Sequence, residues 1–165
     1  MNEAALFESW EDLSVVALPY LTRCGVAVLC GAIVGLEREL KGKAAGFRTN
    51  ILICLGAAMY MGVGLLVTTA AGQAGSDPVR IAAQVVTGIG FIGAGCIIQE
   101  RRRITGLTTA ATIWVVAAIG IISGAGFPLL AIVSSLIVVL TLAVLGIFEK
   151  RYLEPKANDD YSIDD

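Results

Sequence analysis

Histidine is absent from all 165 residues. With it go the commonest general base at neutral pH and the commonest metal ligand. Charge is scarce as well: 16% of the residues are Asp, Glu, Lys or Arg, where a soluble domain carries about a quarter. The net charge is −2, and nothing in the chain points to nucleic acid as a partner. The four cysteines, Cys24, Cys30, Cys54 and Cys96, all lie in apolar runs and form no C-x-x-C pair. A zinc or copper site would have to rest on thiolates alone. The cysteines read instead as small, soft packing residues, and they require no oxidising compartment. The start, Met1-Asn2-Glu3, stays acidic through Glu8, Glu11 and Asp12. It lacks the positive n-region of a cleaved signal peptide, so the first apolar segment is expected to persist in the mature chain.

What is present in quantity is hydrocarbon. Hydrophobic residues make up 56% of the chain, and the mean hydropathy is +0.80. That balance suggests lipid as the solvent, and the length suggests one domain. A helix crosses the bilayer core in about 20 apolar residues. Five stretches approach this, at about 15–36, 51–71, 81–98, 107–122 and 127–148. Backbone groups in lipid must bond within their own segment, which favours helices over open strands. The sequence therefore predicts an all-α integral membrane protein, a bundle of about five transmembrane helices.

The connections predict a direction. Arg38, Lys41, Lys43 and Arg48 lie between the first two spans, and Asp77 and Arg80 between the next two. Arg101, Arg102 and Arg103 follow the third span. The link Ser123 to Gly126 is uncharged, and Lys150, Arg151 and Lys156 follow the fifth. Basic and non-basic connections alternate, which places the N-terminus outside and the C-terminus in the cytoplasm. A re-entrant fourth segment would break that alternation. Trp10, Tyr20 and Tyr152 suit an interfacial aromatic belt. Residues 154–165 read as an acidic, disordered cytoplasmic tail. No internal repeat of the kind that marks many transporters is visible.

The segment Gly88-Ile-Gly-Phe-Ile-Gly93 matches G-x-G-x-x-G. A dinucleotide site needs a preceding strand and an acidic residue about 20 positions on. Here the glycines lie inside a span, Glu100 comes too soon, and no other acidic residue appears before Glu149. The glycines read as helix packing, like Gly31 with Gly35 and Gly120 with Gly124, both GxxxG pairs. Laid out as one helix, Gln84, Gly88, Gly95 and Gln99 share a face. They could line a wet crevice or act as interhelical hydrogen-bonding groups.

Arg23 is a charge inside an apolar run. It either snorkels outward or meets a buried carboxylate or carbonyl. Glu37 with Lys41, and Glu39 with Lys43, are i,i+4 pairs if the helix continues. The oxygens of Glu37 and Glu39 would also suit a hard divalent cation, against competition from the neighbouring basic residues. Thr49 or Asn50 could cap the second helix, and Arg48 could bind an anionic headgroup. Thr105, Thr108 and Thr112 share a face with Thr109 beside it, and their hydroxyls could cap or bond the preceding turn. No nucleophile–base pair, metal cluster or phosphate loop is evident, so the chain does not read as an enzyme or as the carrier of a cofactor.

Three segments together resemble the membrane domain of the MgtC/SapB family of bacterial proteins. The first is Gly35-Leu-Glu-Arg-Glu39 with Ala45-Gly-Phe-Arg-Thr-Asn50 and Leu55-Gly-Ala-Ala58. The second runs from Arg80-Ile-Ala-Ala-Gln84 through Thr87 to Gly95. The third is Gly106-Leu-Thr-Thr-Ala-Ala-Thr-Ile-Trp114 with Ala118-Ile-Gly120. The resemblance implies a five-helix protein of the bacterial cytoplasmic (inner) membrane, linked to magnesium limitation, related stress and virulence. It implies action on the membrane ATP synthase or the membrane potential, with magnesium or other small-ion transport as the alternative. Any link to Mg2+ comes from the resemblance alone. The candidate functional or partner-binding residues are Glu37, Arg38, Arg48, Thr49, Asn50, Gln84, Thr108 and Thr109. Of these, Glu37 and Arg38 would form an ion-paired helix end, Arg48 and Asn50 would contact a partner or headgroup, and Gln84 would bridge helices. The lipid bilayer and a homo-oligomer are further partners. Well-known members carry a soluble C-terminal domain that this sequence, ending at Asp165, is expected to lack.

Overall fold

The computed structural model describes residues 10–70, 77–100 and 103–153. The expected acidic tail, 154–165, and Arg101 and Arg102 lie outside the described residues. Five long helices dominate: α1 (Trp10–Leu40), α2 (Phe47–Ala70), α3 (Pro78–Gly95), α4 (Leu107–Gly124) and α5 (Pro128–Phe148). All five are long and apolar enough to cross a membrane. A short antiparallel hairpin, β1 (Ile98–Glu100) and β2 (Arg103–Thr105), joins α3 to α4. A π-helical turn, Glu149–Leu153, follows α5.

Local chemistry sets the helix ends. At the end of α1, Gly42 adopts φ 61°, a left-handed conformation that costs glycine nothing. Its amide bonds the Glu39 carbonyl at 2.9 Å, and the Lys43 amide bonds that of Arg38 at 3.0 Å. This is the Schellman pattern, which satisfies carbonyls the helix leaves unpaired. Asp77 caps α3, its Oδ1 accepting from the Val79 amide at 2.9 Å, and Pro78 fills the first helical position, where a missing N–H is harmless.

Helix α1 runs past its expected span at both ends, and two further boundary differences bear on candidate residues. Helix α2 begins at Phe47, not near Ile51, so Asn50 lies inside the helix and neither Thr49 nor Asn50 is its cap. Helix α3 stops at Gly95, and Gln99 belongs to β1, paired with Ile104. Gln99 therefore does not extend the Gln84 face.

Helix α4 is the hub and packs against the other four. That explains its threonine- and alanine-rich composition. Small side chains let neighbouring backbones approach where lipid supplies no hydrophobic drive between helices. The core cluster is correspondingly small in side chain: Ala27, Cys30, Val34, Cys54, Ala58, Val116, Ile119 and Ala131. Helix α3 is peripheral, and Gly93 is the residue it buries. The large apolar side chains of α5, such as Leu129, Leu136 and Leu140, face outward, as a lipid-facing helix requires.

Candidate functional site at the α1–α2 corner

The corner is built from the end of α1 and the first turn of α2. Gly31 and Gly35 let the two helices touch. A Cβ at Gly31 would stand 2.8 Å from the Asn50 carbonyl oxygen, and one at Gly35 2.9 Å from Phe47 Cα. Three residues beyond Gly35, Arg38 is 3% exposed. Its Nε and Nη2 donate to the two carboxylate oxygens of Glu37, at 2.7 and 3.2 Å. Lys41 Nζ reaches Glu37 Oε1 at 3.0 Å, the i,i+4 pair expected from the sequence. One carboxylate thus holds two cations, and the buried guanidinium is charge-compensated.

Glu39 does not take the expected partner Lys43. Its Oε2 accepts from the Phe47 amide at 2.8 Å and so caps α2 from eight residues away. Asn50 is fully buried, and its Nδ2 donates to the carbonyls of Ala45 and Gly46 at 2.9 and 2.8 Å. Asn50 therefore fastens the turn from within and is not placed to meet a partner or headgroup. Arg48 and Thr49, beside it, are exposed. Two buried atoms, Arg38 Nη1 and Asn50 Oδ1, find no hydrogen-bond partner among the described residues. The two carboxylates considered for a cation are both engaged, Glu37 by Arg38 and Lys41 and Glu39 by a backbone amide. Among the described residues no three His, Cys, Asp or Glu side chains gather to hold a metal ion.

The other singled-out residues fall elsewhere. Gln84 lies on α3 and lines a crevice of about 940 Å³ between α2 and α3, with Tyr60, Asp77 and Arg80. Thr108 is exposed and Thr109 buried at the start of α4. Thr112 Oγ1 bonds the Thr108 carbonyl at 2.7 Å, while Gly106 occupies the N-cap with no side-chain capping bond. At Gly120 and Gly124 an added Cβ would strike the backbones of Cys54 and Ala58 in α2. Gly88 and Gly95, expected to pack, have open space in this chain. Arg23 finds a buried carbonyl: its Nη1 donates to Gly124 at 3.2 Å, and Ser123 Oγ returns a bond to the Arg23 carbonyl at 2.7 Å. Ser123, expected in the link after the fourth span, lies inside α4 between the glycines of a GxxxG pair.

Five apolar helices, four of them packed on the hub α4, define a multi-pass membrane protein. The chain belongs to the MgtC family, whose model matches residues 24–151. It is 51% identical over 127 residues to YhiD of Escherichia coli strain K12, covering 75% of this chain and 57% of that protein. It is 42% identical over 119 residues to MgtC of Brucella abortus strain 2308, covering 72% and 48%. To MgtC of Salmonella typhimurium strain LT2 it is 41% identical over 112 residues, covering 68% and 46%. The chain thus spans about half the length of the relatives it matches. No solved structure matches it.

Proposed function

We propose that this is a non-enzymatic protein of the bacterial cytoplasmic membrane, N-terminus outside and C-terminus in the cytoplasm. It serves adaptation to magnesium limitation or a related stress by touching a membrane partner, the ATP synthase being the leading candidate, and so modulating ATP synthesis or membrane potential. The observation that carries this reading is the corner. Arg38 and Asn50 are buried fasteners, and they hold exposed Arg48 and Thr49 on a fixed first turn of α2. Pre-ordered contact residues bind without a large ordering cost. The test compares a deletion strain carrying the native chain with one carrying the Arg48→Ala, Thr49→Ala variant, at equal membrane amounts. Growth at low magnesium, membrane potential and ATP level should change with the variant as with deletion. The reading fails if deletion itself changes none of the three.

The alternative is transport of magnesium or another small ion. It is favoured by YhiD, described as a candidate magnesium transporter, and by Gln84 lining a crevice. A magnesium ion at Glu37 would have to displace both Arg38 and Lys41, which is why regulation by contact is preferred. Flux through the purified protein in liposomes, abolished by Gln84→Leu at unchanged protein amount, would reverse that preference.

A further inference from the structure

We infer that the crevice between α2 and α3 is a binding site for one zwitterionic phospholipid of the phosphoethanolamine type, separate from the α1–α2 corner. The lining is sorted by chemistry along its length. At one end stand Asp77 and Arg80. Asp77 Oδ1 caps α3 through Val79, while its Oδ2 makes no bond to a described residue. Arg80 is exposed and makes no ion pair with a described residue. A carboxylate and a guanidinium at one mouth complement a headgroup that carries an ammonium and a phosphate. An anionic headgroup would leave Asp77 opposed to like charge.

Next come Tyr60 and Gln84, one from each wall. Their hydroxyl and amide are donors at the level where a glycerolipid presents its ester carbonyls. Beyond them the walls are apolar, with Leu52 and Ile53 of α2 facing Ile89 and Ile92 of α3. From Arg80 to Ile92 a helix climbs about 18 Å, close to half of a hydrocarbon core about 30 Å thick. The site therefore reaches through one leaflet.

The crevice holds about 940 Å³ between α2 and α3, room for acyl chains to lie along its apolar end. Gly56 and Gly88 line the apolar end with open space beside them, so the chains can lie against bare backbone.

The test is native mass spectrometry of the purified full chain, titrated after delipidation with phosphatidylethanolamine or phosphatidylglycerol of matched acyl chains. Phosphatidylethanolamine should half-saturate the protein at about fivefold lower concentration than phosphatidylglycerol. Arg80→Gln should weaken phosphatidylethanolamine binding by about fivefold, and Arg80→Lys should largely restore it. Asp77→Asn keeps the helix cap and should erase the preference between the two lipids. Gly88→Leu, placed in open space, should weaken both. Thermal melting of each variant checks the fold, and melting equal to the native chain is expected for Arg80→Gln. Equal binding of the two lipids by the native chain overturns the proposal, as does equal phosphatidylethanolamine binding by the native chain and Arg80→Gln. So does a dimer that Gly88→Leu dissociates while lipid binding is unchanged, because a second copy then fills the crevice.

Discussion

Arg38 shows how much one residue can hold. An arginine 3% exposed is tolerated because Glu37 meets it in a two-oxygen grip and because Lys41 steadies the same carboxylate. Removing one partner of a buried pair costs about 3–5 kcal/mol. Arg38→Met should sit near the lower figure, since Lys41 still neutralises Glu37, and unfolding in detergent micelles measures it. The sequence pointed to Glu37 and Arg38 as an ion-paired helix end and to the Glu37–Lys41 pair, and both are present. The two-oxygen grip between adjacent residues was not legible, because neighbours on a helix ordinarily point apart. The glycines make a second case. Gly31→Leu and Gly35→Leu would press into the backbone of α2, and overpacking of this kind costs about 1–3 kcal/mol. Gly88→Ala meets nothing within 4 Å and should leave stability equal or higher by up to about 1 kcal/mol, the helix-propensity difference. A melting series over the three variants reads both outcomes. All three read as packing glycines in the sequence, since a small residue in an apolar run does not say whether a partner helix is there.

At the scale of the element, the α1–α2 turn is held by groups distant in sequence. Glu39 caps the Phe47 amide across eight residues, and Asn50 reaches back to the carbonyls of Ala45 and Gly46. A local search for Ser, Thr, Asp or Asn before an apolar run finds Thr49 and Asn50 and starts the helix too late, because the true cap belongs to α1. Glu39→Ala should cost about 0.5–2 kcal/mol, as loss of a cap does. It should also speed amide exchange at Phe47, Arg48 and Thr49, while leaving α4 protected. Helix α3 ends earlier than its apolar run predicts. Ile97 and Ile98 prolong the apolar run past Gly95, so hydropathy carries the span onward. The chain instead turns into the β1–β2 hairpin, and Gly106 at φ 88° then starts α4.

For the whole molecule, the number and order of spans were legible because length and apolarity are one-dimensional signals. The central place of α4 was not. Its threonines and alanines make it look like a marginal span when they mark the most enclosed one. The antiparallel alternation gathers like ends. Lys41, just past the end of α1, lies with its Nζ 3.4 Å from where Gly146 of α5 would carry a Cβ, and at the opposite end Arg23 bonds Gly124. Lys41, Lys43, Arg48, Arg103, Lys150 and Arg151 therefore share one end of the bundle, while Asp77, Arg80 and the uncharged α4–α5 link share the other. Such a bias orients membrane proteins with the basic end in the cytoplasm. Lys43 and Phe127 are exposed at opposite ends, so cysteines placed there report the direction against the unsubstituted chain as baseline. In intact cells a membrane-impermeant maleimide should label Phe127→Cys at once and Lys43→Cys only after permeabilisation. The reverse pattern would put Arg48 and Thr49 outside the cell. A cytoplasmic partner could then no longer reach the corner, and the proposed regulation by contact would fail with it.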